Sequence, residues 1–362
     1  MRIGFILTNL AAGGAEKAAL KIATGLAERG HRVDVIALEH VVVHEMPAGP
    51  GFYALTPPGK SASKGWLGKR LAARKLSRLL ARLTGDEPFR LLVSTLPYAD
   101  EVAMLAGTPA HWCRITNTLS AEVARLAAGD PAKAARRIGR YRRMYGARAL
   151  IAVSEGVAAD LRGSAAIGCA RLEVIPNPFD FAGIRGLSAL PADLPRGPYV
   201  IHVGRFSGQK RHDLLLDAYS RLHVPHRLVL LVEPDPALAE MIRVRGLSGR
   251  VDVAGFQHNP YPWIAGADLL VLCSDHEGLP NVIVEALALG VPVVSTDCPS
   301  GPREILGTAL PGCLVRVGDA AALAAAMENA LARPPDASRV DLSRYSMDRV
   351  VTAYENLALG DA

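Results

Sequence analysis

The stretch that decides the fold class is residues 269–290, which read LLVLCSDHEGLPNVIVEALALG. Five apolar residues open it and predict a buried strand, Leu269–Cys273. A short polar loop follows, and the residues beyond Pro280 predict a helix, because proline suits a first turn, where its missing N–H costs no hydrogen bond. A strand that passes through a loop into a helix is typical of a parallel sheet covered by helices.

The same alternation continues outward from this stretch in both directions. In the second half it predicts further strands at Tyr199–Val203, Arg227–Val232 and Val291–Ser295, with a helix at Asp213–Leu222. In the first half it predicts strands at Ile3–Leu7, Arg32–Leu38, Leu91–Thr95 and Ala149–Val153, with a helix at Ala15–Arg29. Each half is therefore expected to form a doubly wound, parallel α/β domain.

Length and composition support two such domains. The chain has 362 residues, half of them hydrophobic, and a single core stops growing near about 250–300 residues. Prolines at three positions of the segment 187–198 predict a linker. We expect one domain at residues 1–186 and a second domain at residues 199–342.

The net charge of +6 is unevenly distributed along the chain. Residues 1–180 carry 25 Lys and Arg against 15 Asp and Glu, whereas residues 181–362 carry 16 against 20. The basic surplus is concentrated in Lys60–Arg82 and Lys133–Arg148, and leucines at roughly helical spacing in the first stretch predict a basic amphipathic helix. Such helices favour an anionic membrane surface. Leucines that face the protein's own core, or a nucleic-acid partner, are the alternatives, and the latter lacks any accompanying motif.

Cysteine usage and hydropathy favour a cytoplasmic protein. The five cysteines form no C-x-x-C pair and no zinc-ligand spacing, which is typical of reduced thiols. The apolar run at residues 3–7 is too short for a signal peptide, and no stretch reaches the roughly 18 apolar residues of a membrane span. We expect a soluble protein, or one held peripherally on the inner face of the plasma membrane, with no metal site.

Two loops that follow predicted strands carry residues suited to phosphate. Parallel sheets bind ligands at this edge, beyond the carboxyl ends of their strands. Gly13 and Gly14 allow backbone amides to approach a phosphate or sugar, although a simple tight turn explains the pair equally well. In the other loop, Gly204 permits close backbone approach, while Arg205 and Lys210 place two cations where a diphosphate would fit.

The third loop is the centre of the opening stretch. Glu277 lies in the loop and Glu285 projects from the helix eight positions on, so two carboxylates face one cleft. Each carboxylate can accept hydroxyl hydrogen bonds, which suits a polyol. The backbone amides of residues 279–281 begin the helix and suit an anion.

At these residues the chain resembles the retaining glycosyltransferases of family 4. The run at 277–286, EGLPNVIVEA, resembles the family's E-x7-E motif, residues 204–210 its donor-diphosphate loop, and Gly13–Gly14 its N-terminal glycine loop. Further matches are VSE at 153–155, IPNP at 175–178, AGF at 254–256 and DCPSGPRE at 297–304. The resemblance spans nearly the whole chain and is densest from 199 to 306.

The resemblance implies the GT-B fold, in which two Rossmann-like domains face each other across a cleft. The N-terminal domain, residues 1–186, would bind the acceptor, the C-terminal domain, residues 199–342, would bind the nucleotide sugar, and residues 343–362 would form a helix that packs back on the N-terminal domain. It implies no metal ion and no cofactor, because two cations and a helix N-terminus stabilise the departing diphosphate. Arg205 and Lys210 would neutralise that diphosphate, Glu277 would hold the donor sugar, and Glu285 the ribose. The remaining expected donor-binding residues are Gly13, Gly14, Gly204, Gly278, Leu279, Pro280 and Asn281.

Two departures from the family pattern concern the site. Family members often carry a histidine near the reacting sugar, where this chain has Asn117, a residue unable to act as a general base and a candidate for the acceptor side. The family's glycine-rich loop after Val232 is replaced by EPDP at 233–236, which changes some nucleotide contacts.

The resemblance therefore implies a retaining glycosyltransferase whose donor is a UDP-hexose or UDP-N-acetylhexosamine. Its acceptor would be a saccharide or lipid-linked saccharide in cell-surface polysaccharide or glycolipid synthesis, with no nucleic-acid partner. A GDP-mannose-dependent mannosyltransferase, a GT-B UDP-N-acetylglucosamine epimerase and a basic nucleic-acid-binding protein remain as alternatives.

Overall fold

The computed structural model describes residues 1–11, 13–42, 48–85 and 87–360. The chain forms two compact units, one built from residues 1–178 with those from 344 onward, and the other from residues 179–343. Each unit is a parallel β-sheet with helices packed on it.

The N-terminal unit contains seven strands within the described residues, in the order β3-β2-β1-β4-β5-β6-β7, and every neighbouring pair is parallel. Its elements are β1 (Arg2–Leu7), α1 (Gly14–Glu28), β2 (Arg32–Ala37), β3 (Gly51–Ala54), α2 (Trp66–Thr84), β4 (Phe89–Thr95), α3 (Pro97–Leu105), β5 (His111–Ile115), α4 (Leu119–Ala127), α5 (Pro131–Tyr145), β6 (Ala149–Ala152), α6 (Glu155–Arg162) and β7 (Arg171–Val174). Side chains of β1 alternate between the two faces of the sheet: Ile3 and Phe5 pack with α1, whereas Ile6 packs with α2 and α3.

The C-terminal unit contains six strands within the part of the chain that is described, again all parallel, in the order β10-β9-β8-β11-β12-β13. Its elements are α7 (Phe181–Ser188), β8 (Tyr199–Val203), α8 (His212–Tyr219), β9 (Arg227–Leu231), α9 (Pro236–Val244), β10 (Val251–Val253), α10 (Tyr261–Ala265), β11 (Leu269–Leu272), α11 (Asn281–Ala288), β12 (Val293–Thr296), α12 (Pro302–Leu306), β13 (Leu314–Val315) and α13 (Ala320–Ala332). Leu228 and Leu230 of β9 pack in one core with α8, α9 and α13.

The final helix, α14 (Met347–Leu359), packs on α1 of the N-terminal unit. Its Glu355 accepts hydrogen bonds from Arg29 and His31, which lie at and just after the end of α1. The ring of its fully buried Tyr354 lies 6.1 Å from that of Phe5 on β1. The last helix is therefore part of the N-terminal core.

The units divide after Pro178, and not after residue 186 as the sequence predicted. Helix α7 belongs to the C-terminal unit because it packs on α10 and α11. Asn259 reinforces this packing through a 2.8 Å hydrogen bond from Nδ2 to the carbonyl of Leu187. The predicted linker, residues 187–198, accordingly lies wholly inside the C-terminal unit.

A carboxyl group is buried inside the N-terminal unit. Asp100 of α3 is fully buried, with one carboxyl oxygen bonded to Ser94 Oγ and the other accepting a 2.7 Å hydrogen bond from Tyr145. Ser94 also bonds His111 Nε2 at 2.8 Å. Burial raises the pKa of Asp100 to about 7 and lowers the pKa of His111 to about 4, so burial shifts both groups towards their neutral forms.

Among the described residues, none of the helices is both long and apolar enough to span a bilayer. The same residues include no group of three or more His, Cys, Asp or Glu side chains arranged to hold a metal ion.

Candidate active site

Two of the sequence-predicted loops meet in the C-terminal unit. Strands β8 and β11 are parallel neighbours, so the loops that follow them leave the sheet at the same edge. Several hydrogen bonds join these loops: among them, Asp275 N donates to Gln209 O at 2.9 Å, Gln209 Nε2 to His276 O at 2.7 Å, and Arg211 Nη1 to Asp275 Oδ1 at 2.8 Å. The strand pairing thus assembles one site from segments far apart in sequence.

At the centre of this site, Lys210 contacts Glu277. Lys210 Nζ lies 2.6 Å from Glu277 Oε1, and both side chains are largely buried, at 18% and 9% exposure. Ser274 Oγ donates to the same carboxylate oxygen at 2.6 Å, and the carbonyl of Ser274 accepts a bond from Thr296 on β12. Sequence reasoning missed Ser274, a fully buried residue that holds the carboxylate in place.

Arg211 supports the loop that carries Lys210. It has a left-handed backbone, with φ of 51°, immediately before α8. Its guanidinium bonds both oxygens of Asp213 and also Asp275, and the hydrogen bonds with Asp213 are the main cause of its raised pKa. These ion pairs stabilise a left-handed backbone conformation that residues other than glycine rarely adopt. In the sequence, the only sign of these ion pairs is an arginine directly after Lys210 with an aspartate two positions later, and none of the predictions from the sequence used it.

The same loop begins with the half-buried Gly204 and the exposed Arg205. A Cβ on Gly204 would lie 3.4 Å from Lys210 Cδ and Cε and 3.4 Å from His202 Nε2, so the glycine runs alongside the lysine stem. Arg205 is exposed, and it makes no ion pair with any residue that the structure describes. This short loop therefore carries two cations: Lys210, which forms an ion pair with Glu277, and Arg205, which forms none with the described residues.

Two histidines pack beneath this loop. His202 and His212 are buried with ring centroids 4.8 Å apart, and His202 Nδ1 lies 2.9 Å from the carbonyl oxygen of Val271. Burial, followed by the charge of Lys210, lowers the pKa of His212 to about 4, and burial lowers that of His202 well below its usual value. Both rings are thus neutral packing groups.

The start of α11 is held by a close backbone contact. The helix begins at Asn281, so Pro280 precedes the first turn by one residue, and Leu279 is buried. Ser300 Oγ donates to the carbonyl of Gly278 at 2.7 Å, and Gly301, with φ of 91°, lies against the Pro280 ring, where a Cβ would overlap it. Residues 278–281 are therefore fixed by the loop that follows β12.

Glu285 lies in the second turn of α11 and is half-buried. Tyr261 Oη on α10 donates to Glu285 Oε1 at 3.4 Å. Burial, and then the Glu285 charge, raises the pKa of Tyr261, so its hydroxyl stays protonated and remains a donor. No spacing in the sequence linked these two residues.

The remaining predicted site residues lie in the N-terminal unit. Gly13 precedes α1, Gly14 begins it, and the buried carboxylate of Glu16 lies against Gly13 so closely that a Cβ there would overlap it. Asn117 follows β5, and its Oδ1 accepts a 2.9 Å hydrogen bond from Thr118 N. Because β1 and β5 run in parallel, these residues follow strands at the same edge of their sheet. Ala12, between Ala11 and Gly13, lies outside the described residues.

Comparisons with known proteins identify the families that the two units resemble. The family model described as "Glycosyltransferase Family 4" matches residues 12–182, and the model described as "Glycosyl transferases group 1" matches residues 197–333. Together they cover both units.

Curated relatives match parts of the chain. The 4-alpha-N-acetylgalactosaminyltransferase of Campylobacter jejuni that acts on N-acetylgalactosamine-N,N'-diacetylbacillosaminyl-diphospho-undecaprenol is 36% identical over 167 residues, 45% of this chain and 45% of that protein. The lipopolysaccharide core biosynthesis glycosyltransferase LpsE of Rhizobium meliloti is 35% identical over 175 residues, 48% of this chain and 49% of that protein. The lipopolysaccharide 1,6-galactosyltransferase of Escherichia coli is 35% identical over 131 residues, 33% of this chain and 36% of that protein. These matches span half or less of each relative.

Solved structures match over nearly the full length. A glycosyltransferase from Rickettsia africae superposes with a TM-score of 0.75 at 16% identity, covering 99% of this chain and 98% of that one. HepE of Anabaena, solved in complex with UDP and glucose, superposes with a TM-score of 0.73 at 19% identity, covering 99% of this chain and 100% of that one. With the two parallel-sheet units, these neighbours confirm the GT-B fold.

Proposed function

Because the chain belongs to glycosyltransferase family 4, we propose that it is a retaining glycosyltransferase that moves a sugar from a nucleoside-diphosphate sugar to a saccharide or lipid-linked acceptor. One observation carries this proposal: Lys210 and Glu277 meet at 2.6 Å beside the exposed Arg205. The site thus combines cations suited to a diphosphate with a carboxylate suited to sugar hydroxyls.

The two cations act on the leaving group. As the bond to the sugar breaks, negative charge grows on the diphosphate, and Arg205 and Lys210 stabilise that charge from one loop. Lys210 exchanges its contact with Glu277 for a phosphate oxygen. The N-terminal end of α11, at residues 279–281, adds its helix dipole to the same stabilisation.

The two carboxylates orient the donor. Once Lys210 turns to the phosphate, Glu277 accepts hydrogen bonds from the sugar hydroxyls while Ser274 continues to hold it. Glu285 accepts hydrogen bonds from the ribose, and Tyr261 keeps its carboxylate in position. Gly278 shapes the loop between them.

Retention follows from attack on the face that the leaving group vacates. The bond between the anomeric carbon and the diphosphate oxygen breaks, and the acceptor oxygen bonds to that carbon on the same face. The acceptor's proton passes to the departing phosphate oxygen, so no protein nucleophile takes part. Gly13 and Gly14 approach the donor diphosphate, and Asn117 lies on the acceptor side as a hydrogen-bonding residue.

For the donor we propose a UDP-hexose or UDP-N-acetylhexosamine, and for the product a lipopolysaccharide or related surface saccharide made in the cytoplasm. The support is the names of the relatives, two of which concern lipopolysaccharide and one a diphospho-undecaprenol acceptor. A panel of nucleotide sugars, scored by nucleotide release, tests the donor before the acceptor is known. Stabilisation against heat by UDP and not by GDP is expected, and the reverse would favour a mannosyltransferase.

Two variants test the site. Arg205→Ala is expected to lower turnover with the accepted donor by about 10²–10³-fold, the loss typical of one electrostatic contact to the transition state. Glu285→Gln weakens a charge-assisted hydrogen bond to the ribose and is expected to lower kcat/KM by about 10–10²-fold. Arg333→Ala is the matched control, because Arg333 is an exposed arginine of the same unit at the end of α13. If both site variants keep near-parental kcat/KM, the assignment of the site is wrong.

A further inference from the structure

An apolar tip lies exposed at the beginning of α2. Trp66 and Leu67 are the most exposed large apolar side chains among the described residues, at 66% and 68%, and Leu71 on the same helix is 57% exposed. A single exposed leucine is ordinary on a protein surface, but three large apolar groups within the first two turns of one helix form a patch. This tip is the feature that the proposed activity leaves unexplained.

The rest of α2 divides into a buried face and a basic face. Among the leucines that the sequence left open between a membrane and the protein's own core, Leu76, Leu79 and Leu80 are buried in the core of the N-terminal unit. At 100° per residue, Leu67 and Leu71 lie on the opposite side of the helix. That side also carries the exposed residues Arg70, Arg74, Lys75, Arg78 and Arg82.

Most of the arginines on this basic face form no ion pair with the described residues. Arg74, Arg78 and Arg82 form no ion pair within the described ranges, and Arg70 lies over the Trp66 ring at 4.4 Å. Lys69 of α2 does form an ion pair, with Glu101 of α3, but it lies on the side of α2 that packs against α3. Positive charge therefore surrounds the apolar tip and continues along the solvent face.

Helix α5, the second basic stretch, differs. Its large apolar side chains, Tyr141, Met144 and Tyr145, are buried, and its Arg137 and Arg140 are paired with Glu122 and Glu101. Helix α5 exposes basic side chains but no large apolar one. Of these two basic helices, α2 is therefore the one that exposes both the apolar and the basic side chains that a helix inserting into a membrane surface needs.

The tip lies at the ligand edge of its own sheet. In a β-α-β unit the helix that follows a strand begins at the strand's carboxyl end, and α2 follows β3. The loop before α2 is tied to that edge through Glu39, which accepts hydrogen bonds from Ala62 N at 3.1 Å and from Asn9 Nδ2 at 3.0 Å. Asn9 follows β1, as do Gly13 and Gly14.

We propose that the first two turns of α2 insert Trp66, Leu67 and Leu71 into an anionic lipid bilayer, while the arginines of the same face contact the headgroups. Tryptophan suits the depth of the headgroups, and exposed arginines are attracted to anionic lipid. A second copy of the chain is disfavoured as occupant, because it would bring an equal basic face against this one. This proposal concerns binding alone and stands whether or not the proposed reaction is correct.

Flotation with lipid vesicles tests it on the full chain. We expect the protein to float with vesicles of phosphatidylcholine and phosphatidylglycerol, in a salt-sensitive manner, and not with phosphatidylcholine alone. The triple variant Trp66→Ser/Leu67→Ser/Leu71→Ser is expected to lose at least about tenfold in partitioning, since each buried apolar side chain contributes to insertion. Leu359→Ser, which changes a comparably exposed leucine on α14, is expected to float like the parent.

Tryptophan fluorescence gives a second measurement. Trp112 and Trp263 are buried, so a blue shift on adding anionic vesicles reports on Trp66, and Trp66→Phe removes it. The proposal would be overturned if flotation of the parent did not depend on anionic lipid, or if the triple variant floated as well as the parent. A dimer in sedimentation that the triple variant lacks would also overturn it, because the tip would then be a self-association surface.

Discussion

Substituting Gly204 by alanine separates the requirements of folding from those of donor binding. Gly204 does not lie among the glycines with positive φ, and a Cβ there would meet its nearest neighbours at 3.4 Å, an ordinary contact distance. Alanine therefore fits, and because it restricts the unfolded chain it should change the free energy of unfolding by no more than about 1 kcal/mol, in the stabilising direction.

The effect on activity should be much larger. The added methyl group lies beside the stem of Lys210, in the space through which the backbone would approach the diphosphate. A displacement of about 1 Å costs on the order of 10²-fold in rate, so we expect kcat/KM for the donor to fall about 10–100-fold. That fall corresponds to about 1.4–2.7 kcal/mol of transition-state stabilisation.

The measurement is nucleotide release at subsaturating donor, combined with denaturant unfolding of the same preparation. Gly186→Ala is the matched control, because Gly186 lies on α7 with open space around its Cα, so the variant should gain stability and keep its activity. A stable Gly204→Ala variant with kcat/KM within twofold of the parent would refute the close approach of the donor to this loop.

Three further measurements address other parts of the molecule. Arg211→Gly and Arg211→Ala both remove the ion pairs that hold the Lys210 loop, so the two variants should lose activity to the same extent. The glycine variant should be more stable than the alanine variant by about 1 kcal/mol, because glycine adopts the left-handed backbone without strain. Equal denaturant midpoints of the two variants would contradict this. The pKa of Asp100 is raised from 3.8 to about 7, so the folded chain retains a proton that the unfolded chain releases, and the contribution of Asp100 to stability should fall as pH rises through that range, opposite in sign to the contribution of His111, whose pKa is lowered to about 4. In urea titrations across this range, Asp100→Asn should therefore make the slope of stability against pH more positive than in the parent, and an unchanged slope would count against the assignment. A thiol reagent should modify Cys169 alone in the native protein, because the other four cysteines are buried, and modification of a second thiol without unfolding would show that the core opens.

The strands that sequence patterns predicted are those in the interior of each sheet. Strands β1, β8 and β11 are covered on both faces and therefore consist of continuous apolar runs. The edge strands β3, β7, β10 and β13 escaped prediction, since they are only partly buried and include polar residues or span few positions. The interior strand β5 was also missed, because its His111 and Arg114 interrupt the apolar run; Arg114 is buried against Asn177.

The sequence by itself determined the fold class, the family resemblance and the residues of each loop, because strand periodicity, glycine positions and helix starts are local properties of the chain. It could not determine which loops meet. Lys210 and Glu277 are neighbours only because β8 and β11 pair in parallel, and the same contact brings Arg211 to Asp275. Nor could the leucine spacing of α2 decide which residues face inward, since burial depends on the sheet against which the helix packs. Tertiary structure alone assigned Leu76, Leu79 and Leu80 to the core and left Trp66, Leu67 and Leu71 exposed.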